Sequence, residues 1–463
     1  MPGHQLAISR RDLLRTMGTG LGMVGVSPLL ADSRPSPLAP RQPHFPAKAK
    51  HIIHLFLNGG PSQVDSFDYK PELAKYHGQP YPGGNLKTER KTGTLMQSPF
   101  EFKKFGESGV EISEIFSKLG ERVDDICVIN SMYTDLPFHE PSLLMLNCGQ
   151  RIPGTPSMGS WVTYGLGTEN QNLPGYVVLC PGVPVIGPQL WSSAFLPGAY
   201  QGTYIKNDQR KPEDLVPNVR NPRLKEPEQR RQFSLLEKLN RLHLDREGSP
   251  PELESSIHSM EVAYRMQLEA LDAFDVSKET VATRERYGEG DFALGCLLAR
   301  RLVERGVRVV QVYYGNSQPW DTHEDILRMR TLAGDSDAPM AALLEDLKAS
   351  GLLEETIVII GGEFGRTPTV EVSGRIQVQN GRDHNSHGFS TLLAGGGFKG
   401  GMRYGASDEF GFKAAENRVH PHDLQATVLR QLGFDHTKLT YRHSGRDFRL
   451  TDIAGNVVED IIA

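Results

Sequence analysis

The sequence predicts an α/β fold: a mostly parallel central sheet with helices on both faces. Three features predict it. Short apolar runs recur along the chain and end in turn residues, as strands buried on both sides do. They are "HIIHLFLNGG", "DICVINSMY", "GYVVLC", "VRVVQVYYG", "TIVIIGG" and "STLLAGGG". Segments with helical spacing lie among them, notably 337–353 and 421–434. Polar residues suited to chemistry collect just after the runs, and ligands of a parallel sheet sit beyond its carboxyl ends.

The bulk numbers agree. The chain has 463 residues, 38% hydrophobic and 23% charged, which suits a globular protein. A net charge of −5 with no basic block argues against nucleic acid as a partner. The four cysteines, Cys127, Cys148, Cys180 and Cys296, form no C-x-x-C pair. They read as buried free thiols or at most one bridge, not a disulfide framework.

Taken in order, residues 1–31 read as a signal. "SRRDLLR" (9–15) precedes the Gly-rich apolar "TMGTGLGMVGVSPLLA" (16–31), an order that resembles a twin-arginine export signal. The apolar part is too short and glycine-rich to span a membrane. A periplasmic or secreted protein is expected, with no transmembrane segment. Residues 32–49 are a Pro-rich linker. Residues 50–463 form one domain, with a charged helical insertion near 226–301 expected as a layer or lid on the sheet.

Five of the six apolar runs are followed or preceded by polar residues. The first is followed by Asn58, Ser62, Asp65 and Asp68, the second by His139 and Glu140. Asp321 and His323 follow "VRVVQVYYG", and Glu363 and Arg366 follow "TIVIIGG". Asp383, His384 and His387 precede "STLLAGGG". Taken singly, these are a solvated loop histidine, a helix-capping acid or an ion-paired arginine. Falling after different strands of one sheet, Asp321, His323, Glu363 and His384 make the carboxylate–imidazole mix that divalent metals take. They are expected to converge.

"HLFLNGGPSQVDSFDYKPEL", "WDTHED", "GGEFGRTP", "GRDHNSHGFSTLLAGGGFKGG" and "HPHDLQATVLRQLGFDHTKLTYRHSGRDFRLTD" together resemble the domain-of-unknown-function 1501 family of exported bacterial proteins. That family is grouped with the alkaline phosphatase and sulfatase superfamily. The resemblance runs from about residue 50 to the end. It implies an alkaline-phosphatase-like three-layer sandwich and a metal site acting on phosphate or sulfate esters.

The superfamily pattern is only partly kept. Asn58 stands where the first strand normally ends in a metal Asp, with Asp65 as substitute. "HEPSLLMLNCG" falls in register with the sulfatase nucleophile stretch, so His139 stands where Ser, Thr or Cys would. Glu363 replaces the metal Asp of the late strand, and Phe364 the His after it.

The resemblance thus implies a metal set of Asp65, Asp321, His323, Glu363 and His384 holding zinc, calcium or manganese. Arg366 would grip the ester anion. His139, at a helix start, would be an acid–base group, a phosphoryl-accepting nucleophile or a third imidazole ligand. The reading is an exported sulfatase- or phosphatase-like hydrolase of a small-molecule or glycan ester. The alternative is a degenerate-site binding protein of the cell envelope. An esterase using Ser62 lacks the G-x-S-x-G elbow.

Overall fold

Alternate residues of one strand show how the sheet is enclosed. The computed structural model describes residues 37–216, 226–247, 271–372 and 380–463, apart from residues 85 and 87. In it, strand β1 (His51–Phe56) is buried along its whole length. Ile53 and Leu55 enter one hydrophobic core, Ile52 and Phe56 the other. A continuous apolar run is what a strand covered on both faces requires. The signal region 1–31 and part of the linker lie outside the described residues.

The main sheet has eight strands. They are β1, β3 (Ile126–Met132), β4 (Tyr176–Leu179), β5 (Thr203–Ile205), β6 (Val309–Tyr313), β7 (Thr356–Gly361), β10 (Phe389–Ala394) and β11 (Met402–Tyr404). Their spatial order is β11-β3-β10-β7-β1-β6-β4-β5. Only β10 runs against its neighbours, β7 and β3; the other pairings are parallel. All six apolar runs are strands of this sheet. The short edge strands β5 and β11 have no such run, because an edge strand needs less apolar surface.

Helices α4 (Asp291–Glu304) and α5 (Arg328–Ala349) cover one face through Leu298, Leu302, Leu343 and Leu347. Helices α1 (His139–Cys148), α2 (Met158–Leu166) and α6 (Pro421–Gln431) cover the other through Leu143, Trp161 and Val428. The architecture is a three-layer sandwich. The insertion expected at 226–301 divides differently. Its first part is helix α3 (Glu226–Glu247), residues 248–270 lie outside the described residues, and its last part is α4, a flanking helix of the sandwich.

Helix ends follow local chemistry. Pro421 opens α6, where its missing N–H is no loss, and His420 and Asp423 form a reciprocal capping box. Helix α1 stops at Gly149, whose φ of 66° is left-handed. A Cβ there would stand 1.9 Å from the Leu450 carbonyl oxygen, so only glycine fits. The four cysteines are free and buried. No helix among the described residues is long and apolar enough to cross a membrane.

One departure from a simple parallel sheet shapes the site. After β7 the chain passes Glu363 and enters β8 (Gly365–Glu371) instead of a helix. β8 pairs with β2 (Thr92–Leu95) and β9 (Arg382–Asn385) in a separate antiparallel sheet.

Candidate metal centre

The strands that feed the site end level with one another. Phe56 is in register with Tyr313 and Gly361, and Phe389, where β10 begins, faces Met132, where β3 ends. Because β10 is antiparallel, its start shares an edge with its neighbours' carboxyl ends. The connections at this edge carry Gly59, His139, Asp321, His323, Glu363 and His384.

His139, Asp321, His323 and His384 converge, with ligating atoms within 4.8 Å of one another. Asp321 Oδ1 lies 2.9 Å from His323 Nε2, 3.3 Å from His384 Nε2 and 3.4 Å from His139 Nε2. The Nε2 atoms of His323 and His384 are 2.9 Å apart. Tetrahedral zinc with bonds of about 2.0–2.1 Å separates its ligand atoms by about 3.3 Å, so the cluster needs little adjustment.

Each ring is oriented through its other nitrogen. His139 Nδ1 lies 2.6 Å from Glu363 Oε1, and His323 Nδ1 meets Glu371. His384 Nδ1 is 2.9 Å from the Pro137 carbonyl oxygen, with Glu89 2.6 Å away. An imidazole that donates through Nδ1 presents a lone pair at Nε2. Carboxylates and carbonyls behind metal-bound histidines play this part. His139 Nε2 is buried and makes no hydrogen bond. A cation at the common point would satisfy it, so these residues fit a divalent metal.

The field points the same way. Burial opposes charge on His139, but Asp321 and Glu363 outweigh it and push the ring up to about 9. His323 is also raised, burial being outweighed by Asp321 and Glu371. His384 is pushed down to about 3 by burial, helped by the nearby Arg366 charge. Burial alone would raise Asp321; its three imidazole neighbours and Arg366 hold it far below the carboxylate range instead.

A backbone frame holds these groups. Glu363 accepts the Gly59 N–H, with its oxygens 3.0 and 3.2 Å away. Arg366 donates to the Gly59 carbonyl, to the Gly60 carbonyl at 2.9 Å and to Asp321 Oδ1 at 2.6 Å. Gly59 has φ 117°, and a Cβ would stand 2.5 Å from the Asp321 amide nitrogen. The turn after β1 therefore needs glycine at 59 because two chain segments touch there. Phe364 packs against the rings of His139 and His384 at 4.8 and 4.6 Å.

Asp321, His323 and His384 meet as expected, and His139 joins them as a fourth donor. Glu363 sits behind His139, its oxygens directed to that ring and to Gly59. Asp65 is elsewhere: its carboxylate takes Arg382 at 2.7 and 3.1 Å and the Ser62 hydroxyl at 2.5 Å. Two fully buried opposite charges pair with each other before either serves a metal. Arg366, expected to grip an anion, is fully buried among protein oxygens. Asn58 donates to the carbonyls of Gly315 and Ser317. Glu371 and Glu89 were missed. Glu371 could have been found as an acid at an inward position of the alternating "TVEV"; Glu89 lies in a polar stretch that resembles any surface loop.

Fold and site together define a three-layer α/β protein with a three-histidine, one-carboxylate cluster at its sheet edge. The chain belongs to the family described as "Protein of unknown function (DUF1501)", which matches residues 49–462. No curated protein matches it. Among solved structures it is similar to the lipoteichoic acid synthase LtaP from Listeria monocytogenes, at 9% identity and TM-score 0.36, over 88% of this chain and 76% of that one. It is also similar to the PsFucS1 sulfatase from Pseudoalteromonas sp., at 12% and 0.34, over 84% and 68%. Alkaline phosphatase from the Antarctic bacterium TAB5 gives 11% and 0.34, over 77% and 95%. Likenesses this remote bear on neither substrate nor mechanism.

Asp65→Asn strands the Arg382 charge in the core. It is expected to lower stability by about 3–5 kcal/mol in urea unfolding while leaving metal content unchanged. Metal loss from the folded variant would return Asp65 to the ligand set. Glu363→Gln is expected to weaken zinc binding about 10–100-fold in a chelator competition; undiminished affinity would dismiss its positioning role. Ring nitrogens must shed protons to bind a cation. His139 keeps its proton to about 9, so wild-type affinity should keep rising with pH up to that value.

Proposed function

We propose that the chain is an exported, metal-dependent hydrolase of phosphate or sulfate esters, with the ion held by His139, His323, His384 and Asp321. The observation that carries this reading is the set of three imidazoles, each anchored through Nδ1, whose Nε2 atoms turn to one point beside Asp321. Three nitrogens and one oxygen suit zinc, or manganese, better than calcium, which takes oxygen donors. When bound, such an ion supplies Lewis acidity to an ester oxygen and acidifies a water.

The chain's own groups set the rest. Asp321, with a side chain 24% exposed, is the most open of the four donors, so an ester approaches from its side. Arg366 fixes Asp321 and leaves the incoming anion to other groups. His139, engaged as a donor, does not serve as nucleophile. Glu363 accepts a hydrogen bond from its Nδ1–H and keeps the ring aligned. With the imidazoles neutral, as ligands must be, acids outnumber bases here: Asp321, Glu363, Glu371, Asp383 and Glu89 face Arg366 and Arg90. A phosphate or sulfate monoester is repelled from this edge unless a cation offsets the excess.

A non-catalytic reading has one observation in its favour. Four protein donors around a mostly buried point make the closed arrangement of structural zinc sites. Turnover separates the two. Purified mature protein, assayed for metal and tested on phosphate and sulfate esters, should hydrolyse one class, and His323→Ala should abolish metal and turnover together. A metal-replete protein inert toward every ester would favour the binding reading. For export, Arg10→Lys with Arg11→Lys should leave the chain in the cytoplasm; unchanged export would dismiss the twin-arginine route.

A further inference from the structure

Prolines at 37, 40, 43 and 46 make residues 37–49 read as a linker, yet the compact unit that holds both cores begins at Pro37. Leu38 and Ala49, near the two ends of this segment, are buried in the core that α2 and α6 share. Between them, backbone N–H groups go to helix ends. Arg41 donates to the carbonyl of Leu166, the last residue of α2, at 2.8 Å. Lys48 and Ala49 donate to the carbonyl of Gln431, the last residue of α6, at 2.9 and 3.0 Å, and Phe45 to that of Gly433 at 3.2 Å. The last carbonyls of a helix have no partner within it, and these find theirs here.

Both helix ends are shaped for the contact. Gly167 follows α2 directly and Gly433 lies two residues past α6, each with positive φ. A Cβ would stand 2.1 Å from the Ala39 carbonyl oxygen at the first and 2.5 Å from that of Phe45 at the second. The side chains add a cation where a helix dipole favours one. Arg41 donates to the Tyr164 carbonyl, in the last turn of α2, at 2.8 Å and lies over the rings of Tyr164 and Tyr200. Arg430, in the last turn of α6, lies over the Phe45 ring at 4.3 Å. Four prolines leave the segment little backbone freedom to lose, so ordering it costs less than ordering a common linker of the same length.

We propose that residues 37–49 are a strap that caps the carboxyl ends of α2 and α6 together and holds the two helices as one layer. The prolines that mark a linker in the sequence serve docking instead. Because the chain is pinned from Pro37 on, a protease acting on the folded protein removes a leader only ahead of that residue. The strap is independent of any ester chemistry at the metal centre.

The test uses the full chain. A nonspecific protease should trim the native wild type to a product that begins at or just ahead of Pro37, its start read by mass spectrometry. Rapid trimming to Lys50 would mean a linker and overturn the proposal. Leu38→Ala removes a buried anchor and should speed that further trimming about tenfold or more, since cutting follows the population of the undocked form. The same variant should speed hydrogen exchange in the last turns of α2 and α6 and leave α4 and α5, on the opposite face, as in the wild type. Arg41→Gln, at an exposed position, should act in the same direction and covers the case in which Leu38→Ala fails to fold. Exchange at the two helix ends that is unchanged once trimming speeds up, or that rises equally in all four helices, overturns the capping role.

Discussion

One carboxylate oxygen, Asp321 Oδ1, organises the carboxyl edge of the sheet. A guanidinium reaches it from β8, and imidazoles face it from the start of α1, from the loop after β6 and from β9. An isolated anion in this place would be strongly destabilising, so its partners must arrive together or not at all. The backbone accommodates that demand. Gly59 lies against the Asp321 amide, and the same glycine donates to Glu363 and accepts from Arg366. The turn after β1 carries two glycines, Gly59 and Gly60, so that peptide groups can sit where side chains would otherwise intrude.

The charges around that oxygen also set what the edge can bind. Arg366 and Arg90 are both engaged with acids, Asp321 and Glu371. Neither is turned to an incoming anion, and the remaining acids leave the edge electron-rich. The edge is built to attract cations first. Under the proposed ester chemistry, affinity for the anion would come from a bound ion and not from arginines holding the substrate directly.

Much of this could be read along the chain, and the failures have a common cause. The six interior strands were legible because a strand buried on both faces must be largely apolar. Asp321, His323 and His384 were legible because they follow or precede such strands at one edge. Asp65 was misread because its partner, Arg382, lies far along the chain, and nothing local distinguishes a paired acid from a free one. His139, left open between an acid–base group, a nucleophile and a third imidazole, lies in the cluster, and Glu363, expected among the ligands, lies behind it. Which of two adjacent groups touches the centre depends on side-chain direction, and spacing does not encode that. Arg366 looked like an anion grip because a buried guanidinium and an exposed one share the same letter.

The donors at positions 139, 321, 323 and 384 come from distant parts of the chain. An ion held among them binds the folded chain and not the unfolded one, so it stabilises the fold by mass action. It also has nothing to bind until nearly the whole domain has been synthesised and folded. If the chain leaves the cytoplasm already folded, the choice of metal is made by whatever ions are free inside the cell, not by those more abundant outside it. The order of folding and transport would then decide the chemistry of the centre as firmly as its ligands do.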